Sequence, residues 1–469
     1  MILKHIPMNT VIKPLQAALP LLAVLTALLS SCSGDDYVNA VPGNSIALVS
    51  VDLRKMADEC TGNDVDNARL LNALLHVENA GDCGIDLSEK IYMFEAADGN
   101  VGAVAKVRSR SDLETWLDNL ANAGVCRNIA SRGDFGFAVV KDSWIVGFSS
   151  AKIMIMGPVI ASQHAEMQQI MARYLDQDED RGIKGTPLFD KIDSIDSPVA
   201  MVARASALPE KFVAPFMIGA PKDADASQIV IAAALSTEQG GLMKITGETF
   251  SFNEGINRRL KEASAVYRPI TDEFVESAGA SSLFAAFMNV DGSRYISMLH
   301  EDKAMQVLLA GLNTAVDMDN IIRSIDGDMA FVVPGYEGDR MQVQLGARLK
   351  TRGFLEDVDY WKQSAPKGSS ITDRGKDFYS YDGGDISFCF GVSADNRFYA
   401  GSTETLAREI LQKSSSPFSP EIRKAMKGQR MCMLVNVEKM AEGNEVMSTV
   451  MPLLVPVIGK VGTVLYIIR

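Results

Sequence analysis

An ordered internal repeat constrains this chain more than any other feature. The segment SIALVSVDL from Ser45 returns as SLFAAFMNVD from Ser282. GAVAKV from Gly102, followed by SDLETWL from Ser111, returns as GARLK from Gly346, followed by GFLEDV from Gly353. IASRG from Ile129 matches ITDRG from Ile371. TPLFDK from Thr186 leads into PVAMVA from Pro198, as SPEIRK from Ser419 leads into MCMLVN from Met431. The landmarks keep their order and recur roughly 240 residues apart, which is duplication with loop insertions. Two similar modules follow, each with its own core.

Each module reads as α+β. A strand and a helix precede a hairpin: FAVV from Phe137, a turn at Lys141, Asp142 and Ser143, and WIVGF from Trp144. The counterpart is ISFCFGV from Ile386, a turn at Ala394, Asp395 and Asn396, and FYAG from Phe398. Helices are expected over 151–175, broken near Pro158, and over 403–411. Pro187 and Pro420 each follow a Thr or Ser, the signature of a capped helix start. This order lacks the regular βαβ rhythm of a parallel sheet. It predicts two tandem repeated modules, each an antiparallel sheet with helices packed on one face. The expected organisation is a leader over 1–31, a polar tether over 32–44, and modules over 45–281 and 282–469.

The modules differ at their ends. The first should close with strands over 227–236 and 242–252, joined at Gly240 and Gly241. The second has only the equivalent of the first of these, over 461–468, so it lacks the final hairpin arm. An apolar edge left open there invites pairing with a second copy of the chain. The apolar stretch 446–468 contains Pro452, Pro456 and Lys460, which favours a helix running into a strand over a membrane span.

The first residues give an address. Lys4 and Lys13 precede an apolar run over 15–29, shorter than the ~20 residues a spanning helix needs. Leu29, Ser30 and Ser31 then lead into Cys32. This resembles a secretory signal followed by the lipobox of bacterial lipoprotein precursors. The resemblance implies cleavage before Cys32 and acylation of that cysteine, with stable anchoring by several acyl chains. Ser33, Asp35 and Asp36 resemble part of the acidic tether of surface-exported lipoproteins in the Bacteroides group. The rest of the chain resembles an uncharacterised family of such lipoproteins, a domain of unknown function. The carriers are VPGNS from Val41, the strand ending at Val51, Asp52 and Leu53, and GIDLS from Gly84. The resemblance implies an outer-membrane, cell-surface location, or alternatively a periplasm-facing one.

Composition excludes some partners. The chain carries 59 acidic and 46 basic residues, and loss of Lys4 and Lys13 makes the body more acidic still. Phosphate backbones repel such a surface, so nucleic acid is not an expected partner. Beyond Cys32 the cysteines are Cys60, Cys83, Cys126, Cys389 and Cys432, an odd set with no C-x-x-C spacing. Cys389 and Cys432 lie in apolar runs and read as buried thiols; Cys60 and Cys83 form the one pair worth testing.

Chemical motifs are sparse. His76, His164 and His300 stand without metal-ligand spacing, and no cofactor is expected. Ser149 and Lys152 fit S-x-x-K, but aligning Gly147 with Gly401 sets Ser149 opposite Thr403, which reads as helix capping in both modules. Ser364 and Lys367 also match, in a proline-containing loop. Asp176, Asp178 and Asp180 alternate as in a calcium loop, though Gly182 is one place late and Pro187 stands where the closing Glu belongs. Asp193, Ser194 and Ile195 resemble a short O-glycosylation acceptor, with Ser194 as the modified residue. Trp116 shares a helical stripe with Leu113, Leu117 and Leu120 and reads as core. The function expected is a surface lipoprotein that binds a protein or glycan, or builds the envelope, without catalysis. The alternative is a carboxylate-based hydrolase of glycans or peptides.

Overall fold

The computed structural model describes residues 36–59, 72, 75, 77–208, 220–221, 224–238, 241–301, 303–313, 316–383, 386–441 and 461–468. In chain order, the first ten strands are β1 (Ser45–Val51), β2 (Ile91–Ala96), β3 (Val101–Lys106), β4 (Ala130–Arg132), β5 (Phe135–Val140), β6 (Trp144–Phe148), β7 (Lys152–Met156), β8 (Val199–Arg204), β9 (Val230–Glu238) and β10 (Leu242–Phe250). Ten more follow: β11 (Tyr267–Arg268), β12 (Phe284–Asp291), β13 (Ile325–Glu337), β14 (Arg340–Leu349), β15 (Ser370–Gly375), β16 (Phe378–Asp382), β17 (Ser387–Val392), β18 (Arg397–Gly401), β19 (Met431–Asn436) and β20 (Thr463–Ile468).

Local chemistry sets many of these elements. Lys141 and Asp142 take φ of 44° and 59°, the doubly positive turn whose twist matches a β5–β6 hairpin. Thr186 caps the helix Pro187–Asp193 by accepting from the Phe189 amide, with Pro187 in the first turn. Ser419 and Pro420 do the same for Pro420–Met426. Ser109 caps the helix Arg110–Asn122, whose Leu113, Leu117 and Leu120 are buried, while the half-buried Trp116 indole donates to the Leu75 carbonyl at 2.7 Å.

The strands join into one sheet. Across its first part the neighbours run β4-β5-β6-β7-β3-β2-β1-β8-β9. Across the second they run β15-β16-β17-β18-β14-β13-β12-β19-β20. The pairing order is the same in both. It also corrects one sequence correspondence. The hairpin β5–β6 occupies the place of β16–β17, not of β17–β18, because β7 and β18 are the strands that return to β3 and β14.

Among the described residues every strand pair is antiparallel except one. β10 runs antiparallel to β9 and parallel to β20, from Leu242 opposite Thr463 to Gly247 opposite Ile468. The C-terminal strand is therefore not the open edge the sequence suggests: β19 holds one side and β10 the other. A Cβ on Gly247 would collide with the ring of Tyr466, so the seam is close-fitted where the two parts meet.

Helices cover both faces, not one. On one face Leu48, Phe94, Val104 and Met154 pack with residues 37–41 and the helices His164–Leu175 and Pro187–Asp193. On the other, Ala105 and Ile153 pack against the helix Arg110–Asn122. The second part repeats this, with Phe287, Val332 and Leu434 against Pro420–Met426, and Met288, Val290 and Ala347 against Phe354, Val358 and Trp361. The physical reason was visible in strands such as β5 and β12, which are apolar runs without alternation and so need cover on both sides. The expected helix over 151–175 is also replaced. Residues 152–156 form β7, and the helix begins only at His164, after Pro158. No helix among the described residues is long and apolar enough to cross a membrane.

Cys432 is fully buried in β19, and burial pushes its thiol up from 9.0 to about 12. The folded state therefore resists ionisation that the unfolded chain accepts. This stability is fully present below pH 9 and is lost as pH rises from 9 through 12. Chemical denaturation at pH 8 and pH 11 should differ by about 2–3 kcal/mol on this account. The Cys432→Ala variant should show a correspondingly shallower alkaline decline; an identical decline in both proteins would remove Cys432 as its cause.

Candidate functional site

Residues 36–44 form a strap rather than a free tether. Asp36–Ala40 is a 3-10 turn in which Tyr37, Val38, Asn39 and Ala40 are buried. The Tyr37 hydroxyl donates to the Lys90 carbonyl at 2.6 Å, and its ring lies 6.3 Å from that of Tyr92. Gln177, itself buried, donates from Nε2 to the Val41 carbonyl at 3.1 Å. The Gly43 amide donates to the Arg181 carbonyl at 3.2 Å. Glycine is required on both sides of this contact. A Cβ on Gly43 would lie 2.9 Å from the Arg181 and Gly182 carbonyl oxygens, and one on Gly182 would lie 2.8 Å from the Asn39 Cα. The apolar Tyr37, Val38 and Val41, inside a stretch read as tether, were the sequence signal for this packing.

Beside the strap opens a cleft of about 540 Å³, lined among others by Asn44, Tyr174, Gln177, Asp180 and Gly185. Burial chiefly, with Asp98, raises the Tyr174 phenol above its ordinary range. At one margin Lys152 donates from Nζ to the Gln177 carbonyl at 3.0 Å. Burial lowers the Lys152 ammonium from its ordinary value, against the opposing pull of Asp36, Asp176 and Asp178. Lys152 thus lies within the electrostatic reach of Asp36 and of two of the three calcium-loop candidates.

It does not gather those candidates into a metal site. No group of three or more His, Cys, Asp or Glu among the described residues could hold a metal. Asp176 ends the helix His164–Leu175, and the loop after it closes on its own backbone, with the Gly182 amide donating to the Asp178 carbonyl at 2.9 Å. The Asp178 carboxylate faces Arg181 Nε at 3.4 Å.

The remaining candidates scatter. Leu29, Ser30, Ser31, Cys32, Ser33 and Asp35 lie outside the described residues, as do Cys60 and His76. Ser194 is exposed at the end of the helix Pro187–Asp193, and its hydroxyl donates to the Lys191 carbonyl at 2.6 Å. It borders a second cleft of about 380 Å³, whose rim includes Lys191, Lys244 and Glu248. Lys191 pairs with Glu248 and sits 5.1 Å from the centre of the Phe250 ring.

Neither S-x-x-K match is a nucleophile with a base. Ser149 lies in the β6–β7 turn, where its hydroxyl accepts from the Ala151 and Lys152 amides at 3.3 and 3.2 Å. It starts no helix, unlike Thr403, which caps Glu404–Glu409. Ser364 ends the helix Val358–Ser364 and donates to the Tyr360 carbonyl at 2.9 Å. His300 does find a partner: its Nε2 lies 2.6 Å from Asp319 Oδ2, and Asn313 donates to Asp319 Oδ1 at 2.8 Å. Burial pushes the Asp319 carboxyl up, but these hydrogen bonds hold it below its ordinary range. Asp319 and Asn313 line a third cleft of about 600 Å³, with Asp317, Asp357 and Tyr360. Sequence offered no spacing rule that joins His300 to Asp319.

The family described as Domain of unknown function (DUF4836) matches residues 37–451. No curated protein matches the sequence. Among solved structures, crystal form IV of TP0453 is similar at 11% identity, covering 44% of this chain and 76% of that one, with a TM-score of 0.28. Crystal form I of TP0453 is similar at 8% identity, covering 80% of this chain and 96% of that one, with a TM-score of 0.24.

Proposed function

This chain belongs to the DUF4836 family, and for it we propose a non-enzymatic, lipid-anchored protein of the outer membrane, exposed at the cell surface, that binds a protein or glycan or builds the envelope. The observation that carries this reading is the position of the strap. Asp36, four residues after Cys32, opens the 3-10 turn of the strap, and residues 37–41 are buried in the core. An acylated Cys32 would then hold a folded body directly, without a long linker. The repeated pairing order of the sheet supports a body built by tandem duplication, with β10 lying beside β20. Binding is favoured over hydrolysis by the acids. A general acid needs a carboxyl raised toward neutrality beside a substrate cleft. Among the described residues Asp272 is raised, chiefly by burial and against the pull of Lys427 and Arg423, but it lines none of the three clefts described above.

The test feeds labelled palmitate to cells producing the chain or its Cys32→Ser variant. Label should enter the first and not the second, and the variant should leave the membrane fraction. Protease shaving of intact cells should then remove the acylated form. Absence of label, or label that persists in Cys32→Ser, overturns the anchored reading; protection from shaving places the body on the periplasmic side.

A further inference from the structure

Resting on the lipid-anchored reading, we infer that the strap at 36–44 and the acidic loop after Asp176 form the membrane-facing surface of the protein, held against the headgroup layer of the bilayer. The argument is one of reach. A fully extended chain advances at most ~3.6 Å per residue, so the Cα of Asp36 lies within about 14 Å of the Cα of Cys32. Acyl chains in the hydrocarbon core put Cys32 itself in the headgroup layer, which is roughly 5–8 Å deep on each side. No further slack is available on the protein side, because Tyr37 is pinned to Lys90 and Val41 to Gln177.

The surroundings of Asp36 define the surface. The strap packs on β3, β7 and the helix His164–Leu175. Lys152 stands at the start of β7, and its ammonium feels Asp36, Asp176 and Asp178 together. Asp176, Asp178, Glu179 and Asp180 are exposed on the loop that follows the helix. The face is therefore acidic, and an anionic bilayer repels it. Its closeness to the membrane is imposed by the short anchor, and zwitterionic headgroups are the surface it tolerates best. Lys367 lies in the loop before β15, the strand that ends the pairing order of the second part, and is exposed.

The experiment uses the full acylated chain in phosphatidylcholine vesicles with a rhodamine headgroup acceptor. A genetically encoded click handle carries the donor dye, at Glu179 in one protein and at Lys367 in another. Energy transfer should be several-fold stronger from Glu179 than from Lys367. Inserting a 30-residue Gly/Ser segment after Ser33 should bring the two toward equality, since such a linker spans roughly 30 Å. Including phosphatidylglycerol should reduce transfer from Glu179 at low salt, and added salt should restore it. Equal transfer from the two positions, or a difference that survives the insertion, overturns the orientation while palmitate labelling still upholds the anchor. If no palmitate enters, the anchored reading fails and the orientation falls with it.

Discussion

Deleting residues 463–469 should unfold the second part of the sheet and drive the protein to aggregate, while Leu465→Ala alone should cost about 2–5 kcal/mol. Leu465 and Ile467 are buried to within 1% and pack with Leu434 and Cys432 in one core. Each main-chain edge of β20 is also occupied, by β19 on one side and β10 on the other. Deletion therefore removes core side chains and bares two strand edges at once, and bare edges recruit other chains. Urea denaturation of Leu465→Ala and light scattering of the deletion measure the two effects. A deletion that stays monomeric with an unchanged midpoint would show that β20 does not join the two parts. The close fit at Gly247 gives a finer check. Gly247→Ala should destabilise by about 1–3 kcal/mol through the Tyr466 ring, and much less when Tyr466 is already alanine.

Replacing Asp328 by alanine should cost about 3–5 kcal/mol, although it lines none of the clefts described above. Its carboxylate is only 3% exposed and accepts from four donors. The Thr271 amide and hydroxyl and the Glu273 amide each donate at 3.0 Å, and Asn289 Nδ2 donates at 2.7 Å. Asn289 in turn accepts from Arg268 Nε at 2.9 Å. Alanine would strand these donors away from water, and an unmade buried hydrogen bond costs about 1–3 kcal/mol. Asp328→Asn keeps the shape but turns an amide group toward an amide donor, so its cost should be intermediate. Urea midpoints decide the matter; a loss below about 1 kcal/mol in Asp328→Ala would mean that the hub is not structural.

What the sequence made legible was mostly short-range. Lys141 and Asp142 announce a hairpin, and Thr186 with Pro187 and Ser419 with Pro420 announce helix starts, because each signal lies within four residues of the bond it makes. The same pairing order occurs in both parts of the sheet. The misreadings came from contacts that span the chain. Nothing local tells β20 that it will lie beside β10, because the pairing is parallel and bridges more than two hundred residues of sequence. The sheet is covered on both faces, not one, as the unbroken apolar runs of β5 and β12 require. The strap is masked in sequence because acidic Asp35 and Asp36 give the polar signature of a tether immediately before the apolar Tyr37 and Val38. At the candidate cleft, Asp176, Asp178 and Asp180 carry the conspicuous spacing, but Gln177 between them makes the contact that holds the strap.

The shared use of β10 bears on how such proteins can be recombined. Its N-terminal neighbour β9 and its C-terminal neighbour β20 both depend on a strand encoded before Phe250. A chimera that exchanges the two parts between relatives with its crossover after Phe250 inherits a foreign joint, because β10 then travels with the upstream gene segment and β20 with the downstream one. Successful shuffling then demands matched side chains along Leu242–Phe250 and Thr463–Ile468, so these two segments should be transplanted as a unit.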